Sequence, residues 1–460
     1  MALIRNKSQL IENGRNKQDR ALREAVLCCI EAGITSVDPK SVLEYTLVLD
    51  GDLLRIKDKI FDLRSFNDIF VLGAGKASGA MAESVEHILS DRITCGTVNI
   101  LQGTRSRYHT QKIDLVEASH PIPGESGVEG ARRIMDIASQ AGEEDLIIFI
   151  LSGGGSALLP LPALGVSLAE KRVLTSSLLK SGATINEINT VRKHLSSIKG
   201  GQLARAAYPA TVIGLTISDV VGDPLDMIAS GPAVPDPTTF QDAKDILVKY
   251  GLWEGVPGSI GAYIENGLGC LAKETPKPGD EIFRKVSTFI VGNNRIALEA
   301  IRREAALRGF NAMILSTYVE GEARHVGTVL ASIAREEFNF SEPVERPAFL
   351  IAGGETTVTV VGGGRGGRNQ EIALSSTFGI HGLDGIVVAS VGTDGIDGNS
   401  EAAGGIIDSN SLNRALECGL EPRRLLANND SATFFEAISD SILTGPTGTN
   451  VNDVIVVAIS

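Results

Sequence analysis

Short runs of β-branched and apolar residues alternate with helix-compatible segments along this chain, and this alternation constrains the fold more than any other feature. The runs end in glycine, serine, asparagine or aspartate, and the clearest are residues 68–75, 145–155, 211–219, 287–293 and 311–317. Such alternation predicts an α/β fold, in which helices wrap a parallel sheet. Ligands of these sheets bind beyond the carboxyl ends of the strands, where the polar motifs of this sequence lie.

Two domains are expected, because 460 residues exceed the size of one ordinary core. Residues 18–33 have the apolar spacing of an amphipathic helix. From about residue 345 the strands have shorter connections, including a candidate hairpin over residues 353–363, which indicates a mixed sheet. Residues 273–280 have the composition of a linker. We therefore predict domains of residues 1–270 and 280–460, with the N-terminal helix able to pack on the second domain.

The acidic balance and the cysteine pattern argue against several classes of protein. A formal net charge of −13 argues against a nucleic-acid surface, which needs a basic face. The five cysteines form no CxxC pair or metal-ligand spacing, so we expect neither a disulfide framework nor a zinc site. The first residues lack the apolar core of a secretory signal, and no apolar run reaches the length of a membrane span. We expect a protein of the reducing cytoplasm that binds no membrane.

A glycine-lysine loop follows the first clear strand and opens a helix. It contains Gly73, Gly75, Lys76 and Ser78. A helix N-terminus offers free N–H donors and a partial positive charge, to which Lys76 adds a full charge, so the loop suits an anion. It lacks the spacing of the nucleotide P-loop, and the dinucleotide fingerprint is incomplete because no acid ends the next strand. A tight turn that needs small residues is the alternative interpretation.

A second glycine loop follows the strand at residues 145–151 and has the composition of an anion cradle. Its members are Ser152, Gly153, Gly154, Gly155 and Ser156. Consecutive glycines lose much backbone entropy on ordering, so a mere turn would rarely use three of them. Their N–H groups can approach a phosphate or a carboxylate closely. The loop does not have the GxSxG pattern of the serine-hydrolase elbow.

Glycine runs and arginines recur between residues 351 and 371. Glycine permits a close backbone approach to a ligand, and arginine offers phosphate or carboxylate a planar fork of donors. The candidate ligand-binding residues here are Gly353, Gly354, Glu355, Arg365, Arg368, Asn369 and Gln370. Together with the loop around Lys76, they indicate a protein that handles a small, densely anionic molecule, and phosphoryl transfer uses most of these features.

Basic and acidic residues cluster at two further places. Arg192 and His194 belong to a basic stretch of an otherwise acidic protein, and a solvated helix face is the alternative for them. Asp219 ends the predicted strand at residues 211–219, and Asp223 and Asp226 follow within a turn or two. Clustered acids beside cation-rich loops suit a magnesium site or a general base. Two of the three can simply cap the next turn, and we expect this role for Asp226.

Three other polar segments are weaker candidates. Asp394 and Asp397 form an acidic loop after a strand, but the loop lacks the full calcium-binding pattern and can equally be a turn. Asn450 lies among amides just before the last strand. His120, in the segment SHPIPGESG, is expected to be a turn or core histidine rather than a catalyst.

In their order along the chain these blocks resemble glycerate 2-kinase of the MOFRL type, and the resemblance spans nearly the whole sequence. The matching blocks are GAGKAS at 73–78, SHPIPGESG at 119–127, LSGGGSALL at 151–159, NTVRKHLSSIKGGQLA at 189–204, ISDVVGDPLDMIASGP at 217–232, GGETTV at 353–358, GGRNQE at 366–371, GTDGIDG at 392–398 and TGTNVND at 447–453. Any one block is weak, but their succession is very specific. The resemblance implies a Rossmann-like α/β domain, a smaller α/β domain and an active site in the cleft.

The resemblance also implies a reaction. It is transfer of the γ-phosphoryl group of ATP to the 2-hydroxyl of D-glycerate, which gives 2-phosphoglycerate and uses Mg²⁺. The family's catalytic lysine, aspartate and arginine fall on Lys76, Asp219 and Arg368. In such a mechanism Lys76 and Arg368 neutralise charge that spreads over the transferring oxygens. Asp219 either orients the 2-hydroxyl and takes its proton or holds the metal.

The remaining candidates divide among the two substrates and the metal. Arg192, His194 or Arg365 is expected to clamp the substrate carboxylate, which an arginine can hold with two hydrogen bonds. The glycine loops are expected to cradle phosphates or ribose. Candidate metal ligands are Asp219, Asp223 and Asp394. The expected partners are D-glycerate and ATP, with no nucleic acid, and a homodimer is compatible with the sequence.

Two other classes of function remain open. A hydroxypyruvate reductase would consume NAD(P)H, and the missing ribose acid argues against it. A non-catalytic sensor of sugar acids or nucleotides would bind its ligand without turnover. The acids at 219 and 223, together with Lys76, argue against a sensor.

Overall fold

The predicted parallel and mixed sheets are both present. The computed structural model of the chain describes residues 3–460. They divide into two units, and the first unit contains residues 42–291. The second unit contains residues 3–41 and 292–460. Within the described part, no helix combines the length and the apolar character that a membrane crossing needs.

The elements are numbered in chain order. The helices are α1 Lys7–Glu12, α2 Lys17–Thr35, α3 Pro39–Thr46, α4 Ser78–Leu89, α5 Glu125–Gln140, α6 Gly155–Leu158, α7 Leu168–Lys180, α8 Ile185–His194, α9 Gln202–Ala207, α10 Phe240–Lys249, α11 Gly258–Leu268, α12 Asn294–Leu307, α13 Ala323–Phe340, α14 Arg368–Ile380, α15 Ser411–Glu417, α16 Pro422–Ala427 and α17 Ser431–Ala437. The strands are β1 Leu47–Asp50, β2 Leu53–Ile56, β3 Lys59–Asp62, β4 Ile69–Ala74, β5 Cys95–Leu101, β6 Ile113–Ala118, β7 Leu146–Leu151, β8 Thr211–Ile217, β9 Val286–Gly292, β10 Asn311–Val319, β11 Ala348–Gly354, β12 Ile386–Gly392, β13 Gly404–Asp408, β14 Ser441–Ile442 and β15 Asp453–Ile459. Short 3-10 turns occur at Leu63–Ser65, Ser90–Arg92, Arg105–Arg107, Ile228–Ser230, Trp253–Gly255 and Glu281–Lys285.

The strand order of the first unit reverses in the middle of its sheet. Six strands lie in the order β6-β5-β4-β7-β8-β9, and β4 pairs in parallel with both β5 and β7. The chain therefore runs outward from β4 to β6 and then returns to β7 on the other side of β4. Such a reversal opens a crevice at the carboxyl ends of the two central strands, where doubly wound sheets bind their ligands.

Helices on the faces of this sheet bury its centre. Every residue of β7 is buried, as expected of a parallel strand that helices cover on both faces. Phe149 of β7 shares one core cluster with Ile134 of α5 and Leu203 of α9. The centre of the sheet is therefore a rigid support for the polar loops at its carboxyl edge.

A small antiparallel meander, β1-β2-β3, precedes the parallel sheet. Each of its strands has only four residues. A strict alternation of exposed and buried residues occurs only in β2. Periodicity over so few residues does not distinguish a strand from a loop, so this sheet is not predicted from the sequence.

The second unit contains the mixed sheet, in the order β10-β11-β15-β12-β13-β14. β10 and β11 are parallel, whereas β15 pairs antiparallel with both β11 and β12. The predicted N-terminal helix is present as α2, whose N-cap Asn16 accepts a hydrogen bond from the Asp19 N–H. α2 packs on α12, β12 and β15, so the start of the chain belongs to this unit.

The hairpin predicted at residues 353–363 is wrong. β11 forms, but it already lies between β10 and β15 and has no free edge for a second hairpin strand. The residues that follow use their N–H groups elsewhere. Thr357 donates to the Gly321 carbonyl at 2.8 Å, and Val361 and Gly362 donate to Asn429 Oδ1 at 2.8 and 3.0 Å.

The boundary between the two units lies between residues 291 and 292, which is later in the chain than the predicted division at residues 270–280. Residues 273–280 pack into the first unit instead of forming a free linker. The Asp236 N–H donates to the Pro276 carbonyl at 2.8 Å, and Thr275 Oγ1 donates to Asp236 Oδ2 at 3.0 Å. β9 then adds the last strand to the parallel sheet.

A buried arginine holds α2 to the mixed sheet. Arg23 is fully buried and donates to both oxygens of Asp440, at 2.8 and 2.9 Å. Its Nε also donates to Asp408 Oδ2 at 2.8 Å. Burial alone would raise the pKa of Asp440, but Arg23 and Arg414 hold this pKa below its ordinary value. The pair therefore stabilises the fold above the pKa of an unfolded aspartate, and this contribution is lost as the pH falls through the lower, folded-state pKa.

We expect Arg23→Met to lower the free energy of unfolding by about 3–5 kcal/mol at pH 7, because it removes the buried guanidinium that pairs with Asp440 and Asp408 and leaves only Arg414 beside the two carboxylates. Urea unfolding followed by circular dichroism measures this change. The matched control is Arg20→Met on the same helix, since Arg20 is exposed and pairs with Glu12 at the surface. Its effect should stay within about 1 kcal/mol. Equal losses in the two variants would contradict the role assigned to Arg23.

Candidate functional site

Two glycine loops meet at the point where the strand order of the first unit reverses. Residues 75–77 follow β4, and residues 152–154 follow β7, its direct neighbour. The Lys76 N–H donates to the Gly153 carbonyl at 2.8 Å. Ser152 Oγ accepts a hydrogen bond from the Ala77 N–H at 3.0 Å. The structure thus joins the two predicted loops into one surface.

Several candidate residues of these loops serve the contact between them. Ser78 Oγ lies 3.3 Å from Ser152 Oγ, and both are buried. A Cβ on Gly75 would lie 2.1 Å from Ser152 Oγ, and the φ of Gly75, +151°, also favours glycine. A Cβ on Gly73 would lie 2.1 Å from the Ile150 carbonyl oxygen. Packing alone therefore accounts for these two glycines, as the alternative interpretation supposed.

Three titratable side chains surround Gly153 and Gly154. A Cβ on Gly153 would lie 2.1 Å from Asp219 Oδ2, so the carboxylate lies against the bare glycine. A Cβ on Gly154 would lie 3.1 Å from both Lys76 Cγ and His120 Cδ2. The structure therefore brings Lys76 and Asp219 to the same short segment.

His120 is a member of this group that the sequence reasoning missed. It was expected to be a turn or core histidine, but it is half-buried and faces Gly154 and Lys76. Burial and the charge of Lys76 lower the pKa of His120, so the imidazole is neutral near pH 7. The signal that could have revealed it is its position just after β6, since the other loops of this site also follow strands of the sheet.

Behind the second glycine loop lies a chain of hydroxyl and amide groups. Ser156 Oγ is 3.0 Å from Ser230 Oγ, and Ser230 Oγ donates to Asn189 Oδ1 at 3.1 Å. A Cβ on Gly155 would lie 2.8 Å from the Ala229 Cβ, so the turn that carries Ala229 and Ser230 packs directly on the loop. These contacts connect the loop to helix α8, which carries Asn189.

Of the two basic candidates on α8, only Arg192 is available to a ligand. Arg192 is half-buried, and burial lowers its pKa. His194 is fully buried and both of its ring nitrogens are used. Nδ1 is 2.8 Å from the Thr190 carbonyl oxygen, and Nε2 is 2.9 Å from Glu274 Oε1. The suggestion that His194 clamps a substrate carboxylate is therefore wrong.

Two lysines near Arg192 were also missed. Lys171 of α7 is buried, and its Nζ has no hydrogen-bond partner among residues 3–460. Lys199 is buried as well and donates to the Ala229 carbonyl at 3.2 Å. Burial, together with the charge of Arg192, lowers the pKa of Lys171 to about 7. A single lysine in an amphipathic helix gives no sequence signal that it will be buried.

The metal-ligand candidates do not form a ready-made cage. The described residues contain no group of three or more His, Cys, Asp or Glu side chains that could hold an ion. Asp226 Oδ2 lies 3.7 Å from Lys193 Nζ, within ion-pair distance. In the second unit, Asp394 Oδ1 accepts a hydrogen bond from the Ile396 N–H at 3.1 Å. Asp394 therefore forms the turn that was its alternative interpretation.

The second unit holds Arg368 in a fixed orientation at the start of α14. Arg368 Nε and Nη2 contact the two oxygens of Asp453, at 2.6 and 3.1 Å. Arg368 Nη1 donates to Glu355 Oε1 at 2.8 Å. Burial raises the pKa of Asp453 to about 6, and Arg368 opposes that rise. The carboxylate is thus ionised at neutral pH and pairs with a guanidinium that remains 30 % exposed.

The amides after Arg368 support this arrangement from the protein interior. Asn369 is buried and donates to Asp453 Oδ1 at 2.9 Å. Asp397 accepts the backbone N–H groups of Asn369 and Gln370 at 3.0 and 2.8 Å. Burial raises the pKa of Asp397 to about 7. Asp397 thus caps α14, and Asn369 serves the structure rather than a ligand.

The remaining candidates of the second unit also make internal contacts. A Cβ on Gly353 would lie 2.1 Å from Asn294 Oδ1, and one on Gly354 would lie 2.2 Å from the Val319 carbonyl oxygen. Arg365 is exposed and pairs with Glu436 at 2.7 Å. Asn450 Oδ1 accepts a hydrogen bond from the Asn452 N–H at 3.0 Å. The two side-chain polar atoms of Gln370 are buried without a partner among the described residues.

Comparison with known families agrees with this two-part organisation. Residues 25–265 match a family described as a domain of unknown function, DUF4147. Residues 348–453 match the MOFRL family. The first match covers the parallel sheet apart from β9, and the second runs from β11 into β15.

Relatives named as glycerate 2-kinases resemble the chain over most of its length. It is 42 % identical to a glycerate 2-kinase of Pyrococcus horikoshii, over 95 % of this chain and 98 % of the relative. It is 42 % identical to a D-glycerate 2-kinase of Thermotoga maritima, over 84 % of this chain and 90 % of the relative. Two relatives from Agrobacterium vitis carry the name putative hydroxypyruvate reductase.

A solved structure shows the same fold. The crystal structure of a glycerate kinase from Thermotoga maritima superposes with a TM-score of 0.86 at 39 % identity, covering 96 % of this chain and all of that one. The predicted α/β class, with a parallel sheet and a second mixed sheet, is therefore confirmed. The chain belongs to the family of MOFRL-type glycerate 2-kinases.

Proposed function

We propose that this protein transfers the γ-phosphoryl group of ATP to the 2-hydroxyl of D-glycerate, giving 2-phosphoglycerate and ADP. The observation that carries the proposal is the placement of Lys76 and Asp219 around Gly153–Gly154, where the strand order reverses. The identity to glycerate 2-kinases over almost the full chain supports it. Phosphoryl transfer asks a protein for positioning and for positive charge rather than for covalent chemistry, and this site offers both.

In this mechanism Lys76 neutralises charge on the transferring phosphoryl group. Its backbone is fixed by the hydrogen bond to Gly153, so the ammonium extends from a rigid loop. The neighbouring His120 is neutral near pH 7 because burial and Lys76 lower its pKa. It can therefore donate or accept a hydrogen bond to substrate without adding a second charge. The glycine loop at residues 152–156 provides the surface on which the phosphates rest.

Asp219 has two roles open to it, as general base or as metal ligand. As a base it orients the 2-hydroxyl and takes its proton while the phosphoryl group is transferred. Mg²⁺ is usually bound by one or two carboxylates together with phosphate oxygens and water, so the absence of a three-acid cluster among the described residues does not oppose it. Asp219, with Asp223 four residues later, fits such a metal. The metal would neutralise charge on the phosphate oxygens.

Arg368 is proposed to supply a second cation to the phosphates. Asp453 and Glu355 hold the guanidinium by ion pairs, which reduces the side-chain entropy that a ligand would otherwise have to fix. In this proposal Asp453 positions Arg368 and does not touch substrate.

The function is tested by a coupled ADP-release assay with D-glycerate, ATP and Mg²⁺. We expect ADP to form only when D-glycerate is present. The competing function is reduction of hydroxypyruvate. It would oxidise about one NAD(P)H per turnover and so lower the absorbance at 340 nm. Consumption of NAD(P)H without ADP release would replace the kinase proposal by the reductase.

Lys76→Met should lower kcat/KM for D-glycerate about 10²- to 10³-fold, because one preorganised charge on the transition state is lost. Steady-state ADP release measures the change, and circular dichroism confirms that the variant is folded. Lys40→Met is the control, since Lys40 is an exposed lysine of α3. Turnover close to normal in Lys76→Met would remove this residue from the mechanism.

Asp219→Asn should abolish measurable transfer in either of its roles. Titration with Mg²⁺ separates the two roles by measuring ATP binding at increasing metal concentration. If Asp219 is the base, the variant keeps the Mg²⁺ dependence of ATP binding. If Asp219 is a metal ligand, that dependence weakens. Undiminished transfer by the variant would refute both roles.

Arg368→Lys should retain the charge but lose the two-pronged contact with Asp453, so turnover should fall at least about tenfold. Lysine is used instead of alanine because alanine would leave the buried Asp453 without a counter-charge. Arg335→Lys, on the exposed face of α13, is the matched control. Equal turnover in the two variants would show that Arg368 has only a structural function.

A further inference from the structure

Lys171, Arg192 and Lys199 form a group of cations in the first unit that the reaction scheme has not yet used. Lys171 belongs to α7 and Arg192 to α8, and these helices pack together. Burial, together with the charges of Lys171 and Arg192, lowers the pKa of Lys199 well below its ordinary value. The three side chains are therefore near neighbours, although they come from separate segments of the chain.

No carboxylate balances this group. Lys171 and Lys199 are 8 % and 2 % exposed. None of the three side chains forms an ion pair within residues 3–460, and the Lys171 ammonium has no hydrogen-bond partner there. An unpaired buried charge is costly, and a protein with a net charge of −13 has many acids that could have paired with it. The missing anion is therefore expected to come from a ligand.

The group adjoins the proposed catalytic loop. Lys199 Nζ donates to the Ala229 carbonyl, and Ala229 packs against Gly155. Ser230, the next residue, bonds to Asn189. Asn189 lies one turn before Arg192 on α8, so the two side chains lie on the same face of the helix. The group of cations is thus connected, through Ala229 and Gly155, to the loop whose glycines contact Lys76 and Asp219.

We propose that Lys171, Arg192 and Lys199 form an oxyanion-binding subsite that takes the carboxylate of the hydroxy-acid substrate. The inference rests on the proposed function and deepens it by assigning the acid group of the substrate to named residues. The phosphates of ATP offer the same oxyanion chemistry, but they are already matched by Lys76, Arg368 and a metal. A carboxylate is the remaining anion of the reaction, and arginine can hold it with two hydrogen bonds.

The effect of burial on Lys171 agrees with this assignment. Burial and Arg192 lower its pKa to about 7, so the ammonium is only partly protonated in the free protein near neutrality. A bound carboxylate favours the protonated form. Ligand binding therefore relieves an unfavourable arrangement that the ligand-free protein retains.

The test compares Lys171→Met with Lys180→Met, which changes an exposed lysine of the same helix. We expect Lys171→Met to raise KM for D-glycerate about 10- to 100-fold, as the loss of a charged hydrogen bond does, and to leave KM for ATP unchanged. Its melting temperature without ligand should be equal to or higher than that of the natural protein, because an unpaired buried charge is removed. Lys180→Met should change none of these quantities.

Other outcomes overturn the assignment in distinguishable ways. An increase in KM for ATP alone would identify a phosphate site, and unchanged KM values would exclude a substrate site. A lower melting temperature with both KM values unchanged would indicate a structural lysine. Lys199→Met serves as a second variant, with the same expected rise in KM for D-glycerate. If the natural protein neither binds D-glycerate in a calorimetric titration nor releases ADP, the proposed function itself fails, independently of these variants.

Discussion

The candidate site depends on the reversal of strand order between β4 and β7. Because the chain leaves β4 in one direction and returns on its other side, the loops after these two strands become neighbours at one edge of the sheet. Hydrogen bonds from Ala77 and Lys76 to the opposite loop then fix their relative positions. A parallel sheet without this reversal would place the loops farther apart. The position of Lys76 near Asp219 is in this sense a consequence of topology.

Close backbone packing explains the high glycine content of these motifs better than ligand approach alone. Gly75 is needed because Ser152 occupies the space of its side chain, and Gly153 because Asp219 does. Gly153 in particular lets the carboxylate of Asp219 approach the loop. The same principle applies in the second unit, where Gly353 and Gly354 pack against Asn294 and Val319. A glycine motif can therefore mark a functional edge although its glycines contact protein atoms.

Some buried charges of this protein have a counter-charge within the described residues, and others do not. In the second unit Arg23 and Arg368 each face carboxylates, so their charges are compensated within the protein. In the first unit Lys171 and Lys199 have no such partner within the described residues. Ion pairs within the protein account for the burial of Arg23 and Arg368. The burial of Lys171 and Lys199 is explained if a substrate anion binds between them and Arg192. These residues would then recognise substrate, which packing alone does not explain.

The sequence predicted the parts of the fold that repeat a strong local pattern. The apolar run at residues 145–155 contains β7, Leu146–Leu151, and the helix predicted at residues 18–33 is α2, Lys17–Thr35. The hairpin after β11 was wrong because pattern cannot show that both edges of that strand are already paired. The burial of Lys171 and the contact of His194 Nε2 with Glu274 depend on neighbours distant in sequence. Local periodicity contains no information about such contacts.

A crystal structure with D-glycerate, Mg²⁺ and a non-hydrolysable ATP analogue tests most directly whether both substrates bind at Lys76 and Asp219. We expect the γ-phosphate within hydrogen-bond distance of Lys76 Nζ and the glycerate 2-hydroxyl beside Asp219. Both ligands bound away from Gly153 and Gly154, with Lys76 and Asp219 touching neither, would contradict it.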